Sequence, residues 1–445
     1  MFRNNKLFIL MLFLTLPMFI GAVHAYEDTQ IPAPELSVAT IVLFALDNSP
    51  EVGIAVQKAE QSDAQIRETQ SGLYPQATLR ADLAREFNDP SSGGDLEAGQ
   101  SAITGTAVFG VGVTQLLFDG FKTQERIKQN KKKYQSRLLK ADKARQDVVI
   151  ETIAQYLNVY RTQRSFTLMR QFVERLESIY NKIEISYEAG ATSKSKLNYA
   201  KSRLAFARSD AQKKGAELKD SLSALEFLTG KLPPFLAVKP DELDPSVLDL
   251  DFYLEMAAQH NYDVEISDAD IQAAEHEYRS EKGNYFPTLN FRVDYEQRND
   301  DGGQIGMEKD VSGTLAVNYN LFDGGKRSHV SDRLIARRTE LEIKRSKVLK
   351  ELQKKIKQSY NQILSIQSNL LLTQEEIDSN SEVRRLNYEK FELGEIDIIE
   401  LIEGEERLIT AVRKKNVEEA DLYSNTFKLL QQVGALQGQS FCGSC

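Results

Sequence analysis

From Pro287 onward apolar and polar positions alternate: Leu289, Phe291, Val293 and Tyr295 share one parity, and Asn290, Arg292, Asp294 and Glu296 hold the other. A period of two puts neighbouring side chains on opposite faces, so this spacing predicts a strand. A second strand follows, with Leu315, Val317, Tyr319 and Leu321 on one face and Ser312, Thr314, Asn318 and Asn320 on the other. Between them Asn299-Asp300-Asp301-Gly302-Gly303 has loop chemistry. The same design occurs earlier. Leu79 and Leu83 oppose Arg80 and Asp82, and after the loop Asn88-Asp89-Pro90-Ser91-Ser92-Gly93-Gly94, Phe109, Val111 and Val113 oppose Thr106, Gly110, Gly112 and Thr114.

Beyond each strand pair the period changes. Val149, Ile153, Leu157 and Tyr160, then Leu168, Phe172, Ile179 and Ile183, recur every three or four residues, as do Leu352, Ile356, Ser359, Ile363, Ile366 and Leu370. A period near 3.5 is the coiled-coil pattern. No proline lies between Pro90 and Pro233, or after Pro287. A continuous helix from Phe121 to Glu188 would measure roughly 100 Å at about 1.5 Å per residue, with Asp119 and Asp323 as natural N-caps of the two long helices. At Gly190 and Gly394 the chain is expected to reverse, because glycine tolerates the left-handed conformation that ends a helix. Returning helices then run toward Gly230 and Gly434.

These pieces are duplicated. Leu117-Phe118-Asp119-Gly120 recurs as Leu321-Phe322-Asp323-Gly324, Tyr187-Glu188-Ala189-Gly190 as Phe391-Glu392-Leu393-Gly394, and Arg203-Leu204 as Arg407-Leu408, all offset by about 204 positions. Tyr74-Pro75 matches Phe286-Pro287 at a slightly larger offset. Pro233, Pro234, Pro240 and Pro245 mark a connector that cannot continue a helix. The expected division is a signal peptide 1–25, a first repeat 26–230, the proline-rich connector 231–250, a second repeat 251–435 and a tail 436–445. Each repeat is read as a helix, a strand pair and a long helical hairpin.

The N-terminus decides the setting. Arg3 and Lys6 precede an apolar run from Leu7 to Phe19 and small residues ending at Ala25, the pattern of a cleaved export signal. The run falls short of the roughly 20 residues of a spanning helix, and Tyr26 offers no lipid-anchor cysteine. Alternation alone leaves a sandwich with one wet face level with a water-lined membrane barrel. Strands of about nine to eleven residues suit a tilted bilayer span, and with the export route they favour the barrel. Tyr74, Phe118, Tyr285, Phe286 and Phe322 lie near strand ends, where rings suit the membrane interface. Four strands cannot close a barrel, for which about eight are the minimum. Other copies must complete it, and the strand count fits two copies or three.

Charge and chemistry narrow the rest. The net charge of −9 over 445 residues argues against nucleic acid as a partner, and Lys131-Lys132-Lys133 reads as a solvated helix face. Cys442 and Cys445 are spaced for a short-range disulfide in an oxidising compartment. They lack the βαβ context of a redox motif and the two further ligands of a metal site. His260, His276 and His329 are dispersed, with no phosphate loop or nucleophile elbow. Neither an enzyme nor a cofactor is expected.

Leu73-Tyr74-Pro75, Tyr285-Phe286-Pro287, the two Leu-Phe-Asp-Gly junctions and the tip glycines, in this order and spacing, resemble the TolC family of outer-membrane efflux and type I secretion proteins. The resemblance implies an α+β membrane protein. It would be a homotrimer whose outer-membrane β-barrel, four strands per chain, continues into a periplasmic α-helical coiled-coil barrel. It implies as partners a periplasmic adaptor (membrane fusion) protein, an inner-membrane ABC or proton-driven transporter, and outer-membrane lipid of a Gram-negative bacterium. The function implied is a passive conduit opened at its periplasmic tip. A periplasmic coiled-coil adaptor is the alternative, although it should carry one hairpin rather than two.

In the family, acidic side chains six and nine residues beyond the second tip glycine line the constriction, which here are Glu400 and Glu403. The family's tip lock uses a tyrosine three residues before that glycine, an arginine two after it, and an aspartate six after the first tip glycine. Phe391, Ile396 and Lys196 stand there instead. That lock does not transfer, and Lys196 is expected to pair with Glu400 of a neighbouring hairpin. Gly190, Gly394, Lys196, Phe391 and Ile396 form the expected adaptor contact. Pro75, Asp119, Gly120, Pro287, Asp323 and Gly324 form the strand-helix junctions.

Overall fold

The computed structural model describes residues 35–88, 102–230, 235–240, 248–299 and 306–436. The export signal, the loops 89–101 and 300–305, Pro233, Pro234, Pro245, Cys442 and Cys445 lie outside the described residues. The chain opens with β1 (Glu35–Leu36), α1 (Val38–Asn48) and α2 (Pro50–Ser71). Ser37 and Ser49 cap the two helices, each accepting a backbone N–H of the first turn, and Pro50 starts α2 where no N–H is needed. Then come β2 (Gln76–Asn88), β3 (Ala102–Phe118), α3 (Lys122–Glu188) and α4 (Lys194–Thr229). After β4 (Leu236–Ala237), which lies within the connector and pairs parallel with β1, the order repeats. It runs α5 (Leu250–His260), α6 (Tyr262–Lys282), β5 (Thr288–Asn299), β6 (Met307–Asn318), α7 (Lys326–Glu392) and α8 (Ile398–Gln432).

The long helices α3 and α7 have 67 residues each, roughly 100 Å by the rise per residue. They begin at Lys122 and Lys326, two residues later than aspartate N-caps would place them. Two consecutive left-handed residues intervene, Gly120 and Phe121 (φ +70° and +64°) or Gly324 and Gly325 (+66° and +84°). The aspartates still satisfy the free helix donors from outside. Asp119 Oδ2 accepts from Thr123 N at 2.8 Å, and Asp323 Oδ2 from Arg327 N at 3.1 Å. Among the described residues no single helix is long and apolar enough to cross a membrane.

The four long strands form one antiparallel sheet in the order β2-β3-β5-β6, the two strand pairs joined through β3 and β5. They have 13, 17, 12 and 12 residues, longer than the spacing predicts, because pairing continues outward past the clean alternation. β6 nevertheless stops at Asn318, so Tyr319 and Leu321 leave the sheet. Its equivalent β3 reaches Phe118 because pairing with β5 continues past the last β2 partner at Thr114, through a bulge at Leu117, to Leu289.

Three apolar clusters hold the helices. One joins α1 and the middle of α3 to α4, β4 and α8 around Tyr156. The Tyr156 hydroxyl bonds Leu36 O at 2.8 Å and accepts from Val238 N at 2.9 Å, tying the β1–β4 pair to α3. A second joins α5 and α6 to α7 and α8. The third lies at the hairpin tips, between α3, α4 and α8. Val149, Ile153, Leu157, Phe172, Ile179, Ile356 and Ile363, all assigned to the seam by spacing, are buried.

Candidate functional site

The sheet has one chemical character on each face. Register aligns Leu79 with Val111, Val111 with Tyr295 and Tyr295 with Val311, so odd-numbered strand positions share a face up to the bulge at Leu117, beyond which Phe118 pairs with Leu289. That face is mostly apolar, with Arg85 and Lys309 toward the strand ends away from the junctions, and it is uncovered: Leu79 is 70% exposed, Leu83 88% and Val317 64%. The opposite face carries intrastrand pairs, Arg80 with Asp82, Arg292 with Asp294 (2.7 Å) and Arg298 with Glu296 (3.0 Å). Gly112 belongs to this polar face because a Cβ there would lie 2.6 Å from Asp294 Oδ1. The glycine makes room for the charged pair crossing from β5.

The junction residues separate into an inner and an outer set. Gly120, leaving the first strand pair, sits against Phe286, which enters the second, and the Asp119 carbonyl lies against Gly283. A Cβ on Gly120 would stand 2.5 Å from Gly283 O and 2.8 Å from Phe286 Cβ. Ser280 Oγ donates to Lys122 O at 2.9 Å, and Lys122 Nζ to Asn284 Oδ1 at 2.8 Å. Gly324 has the same backbone but nothing within 4 Å. Pro75 and Pro287 precede β2 and β5, at the same end of the sheet as the junctions. Gly283 and Ser280 are the junction residues that spacing missed. Neither has an unusual neighbour in the sequence, and only the docking of α6 on α3 gives them a role.

At the other end, about 100 Å away along α3, both hairpins turn identically. Ala191 N bonds Ser186 O (2.8 Å) and Gly190 N bonds Tyr187 O (2.9 Å); Glu395 N bonds Lys390 O (2.9 Å) and Gly394 N bonds Phe391 O (3.0 Å). This is the Schellman motif, with the left-handed residue at Gly190 (φ +73°) and Gly394 (φ +77°). Phe391 packs on the tip cluster, and Ile396 is half-buried beside it in the turn. Within the chain Lys196 reaches Asp397 Oδ1 at 3.3 Å, not Glu400. Ile398, Leu401, Ile402 and Glu405 form the buried stripe of α8, which turns Glu400 and Glu403 outward on its exposed side.

The strongest electrostatic feature of the tip was not legible in the sequence. Glu405 is 0% exposed, with its carboxylate 3.1 Å from Arg175 Nε of α3 and 3.9 Å from Arg384 Nε of α7. Burial, with the Glu405 charge beside it, pushes the Tyr388 hydroxyl up to about 12. Three helices from both hairpins therefore share one buried charge. Further up, Arg413 meets Asp210 at 3.1 Å and Asn416 Nδ2 donates to Arg161 O at 2.9 Å, continuing the polar attachment of α8 to the first hairpin. Among the described residues no group of His, Cys, Asp and Glu could hold a metal ion.

Residues 44–231 and 253–434 match the model of a family described as outer membrane efflux protein. No curated protein matches the sequence. The fold is similar to a crystal structure of CusC, described in terms of folding and transmembrane channel formation (TM-score 0.79, 16% identity, covering 93% of this chain and 95% of that one). It is also similar to the Campylobacter jejuni CmeC outer membrane channel (TM-score 0.76, 16% identity, 89% and 85%). The open state of the Neisseria gonorrhoeae MtrE outer membrane channel is a third likeness (TM-score 0.74, 14% identity, 94% and 98%).

Proposed function

The chain belongs to the outer membrane efflux protein family, and from that premise we propose that it is the outer-membrane channel of a tripartite export system. It serves as a passive conduit for efflux or type I protein secretion. The observation that carries this reading is the sheet with one charged face and one exposed apolar face. Lipid against the apolar face and water against the charged one satisfy both. A periplasmic adaptor would have no use for such a sheet.

A four-stranded sheet leaves β2 and β6 as open edges, and each unpaired backbone group in hydrocarbon costs several kcal/mol. Closure therefore comes from further copies. Three supply about twelve strands, a number within the range of known barrels, and a homotrimer is the state the family resemblance implies. The two matching halves are then copies of one strand-and-hairpin unit, and 100 Å helices carry the conduit across the periplasm. The tips meet a periplasmic adaptor and an inner-membrane transporter. Around a threefold axis Glu400 and Glu403 become rings of carboxylates at the constriction, which favour cations.

Membrane fractionation followed by electrophoresis without heating tests the channel itself. An outer-membrane oligomer that resists SDS and dissociates on boiling is expected; a soluble or inner-membrane monomer overturns the reading. In planar bilayers, replacing Glu400→Gln and Glu403→Gln together should shift the reversal potential toward lower cation selectivity. An unchanged potential removes these residues from the constriction.

A further inference from the structure

Lys133, the last of the run Lys131-Lys132-Lys133, lines two neighbouring grooves open to solvent and is itself exposed. Lys132 instead donates to Gln135 on its own helix at 3.1 Å. Lys133, Ser136, Arg137 and Lys140 fall at helical spacing on one face of α3. With Lys58 of α2 and Asp270 of α6 they line a cavity of about 500 Å³. Lys140 lies 3.5 Å from Asp270, the one carboxylate of the lining. Lys58, Lys133 and Arg137 make no ion pair among the described residues. A neighbouring cavity of about 390 Å³ has the opposite balance, since Glu68, Glu277 and Glu281 outnumber Arg126 and Lys133 there.

The second observation is independent of charge. Ser136 is 1% exposed, and its hydroxyl has no hydrogen-bond partner. A buried donor without an acceptor is unfavourable and rare in folded proteins. Lys58, Lys133 and Arg137 are exposed at the rim of the same volume, so water screens their mutual repulsion only in part. An anion with several acceptor oxygens relieves both: it accepts from the Ser136 hydroxyl and from Lys58, Lys133 and Arg137 together. A carboxylate offers two oxygens and one charge. A phosphoryl group offers three or more oxygens and up to two charges, and the arginine fork matches it.

We propose that the cavity between α2, α3 and α6 binds a phosphoryl group, either of free phosphate or of a lipid headgroup. The site belongs to one chain's own helices and stands apart from the tip and the strands.

The test uses the full-length protein, purified in detergent for calorimetric titration with inorganic phosphate. In parallel, nanodiscs of phosphatidylcholine with and without phosphatidylglycerol are used, and bound lipid is read by native mass spectrometry. Wild type is compared with the double variant Lys133→Gln, Arg137→Gln, with Ser136→Ala, and with Lys131→Gln as a control outside the cavity. Saturable phosphate binding that weakens about tenfold or more in the double variant, weakens less in Ser136→Ala and is unchanged in Lys131→Gln supports free phosphate. Retention of phosphatidylglycerol with the same variant pattern, without binding of free phosphate, supports the headgroup. Absence of both, or binding that the cavity variants leave intact, overturns the proposal. Circular dichroism melting confirms that each variant is folded, and Ser136→Ala, which removes one buried hydroxyl, keeps the test decisive should the double variant unfold.

Discussion

Replacing Glu405→Gln removes one charge and keeps the side-chain shape, so its effect isolates the ionic attachment between the hairpins. The carboxylate is wholly buried, whereas Arg175 and Arg384 are 33% and 32% exposed. Breaking a fully buried pair by removing one partner costs about 3–5 kcal/mol. Here the arginines are free to rehydrate partly, which brings the expected loss to about 2 kcal/mol. At about 1.4 kcal/mol per factor of ten, the closed arrangement of α8 against α3 and α7 should weaken roughly 30-fold. Amide hydrogen exchange over residues 398–410 reads this directly and should accelerate by that factor. Resting conductance in planar bilayers should rise in parallel. Glu406→Gln is the control. Glu406 meets Arg203 at 3.5 Å with both side chains about a third exposed, a surface pair worth about 0–1 kcal/mol. If exchange in Glu405→Gln stays within threefold of wild type, or if Glu406→Gln matches it, the buried carboxylate does not hold the tip.

Tyr388 gives the pH dependence of the same cluster. Its hydroxyl is raised from 10.0 to about 12, so the folded state favours the neutral form. The stability this confers is complete below pH 10 and is lost as pH rises toward 12, which alkaline melting followed by tyrosinate absorbance should show and Tyr388→Phe should abolish. Gly120→Ala should destabilise far more than Gly190→Ala, although both have positive φ. The left-handed backbone costs roughly 1–2 kcal/mol at each, but only at Gly120 would the Cβ strike backbone, 2.5 Å from Gly283 O. Thermal melts of the two variants compare them, and equal losses would contradict the close packing of the junction. On the sheet, Leu83→Arg should cost about 2–4 kcal/mol if that face meets lipid and should reduce the SDS-resistant oligomer. Ser312→Arg on the opposite face should leave it intact; the reverse order would exchange the lipid and water faces.

The legible parts of the fold are those written in local periods. The alternation around Phe291 and around Val111 sets which faces of the sheet are apolar, because a strand's side chains alternate whatever their partner. The residues of the helical seams, from Ile153 to Ile363, follow equally from spacing. Gly190 and Gly394 mark the turns because the Schellman geometry requires a residue that adopts positive φ cheaply. The recurring motifs located the strands and the long hairpin helices to within a few residues, whereas the single helix expected before each strand pair is two, α1 and α2 or α5 and α6. Helix starts were less legible. Asp119 and Asp323 do serve the first turns, but the left-handed residues after them delay the helices to Lys122 and Lys326.

What the periods could not supply is which faces meet across long separations. The pairing of Lys196 with Asp397 rather than Glu400 depends on how one hairpin tip sits on the other. Glu405 looked like one more glutamate in the run Glu403-Gly404-Glu405-Glu406, and only the approach of α3 and α7 buries it. Ser136 and Lys133 acquire a shared cavity only when α2 and α6 close around α3. The sequence by itself determined the strands and the long hairpins, since these rest on backbone periodicity and on the allowed φ of glycine. The tertiary structure alone decided the joining of the two strand pairs through β3 and β5 and the burial of one charge between three helices. Those contacts are set by the balance of apolar burial and charge pairing between segments far apart in the chain.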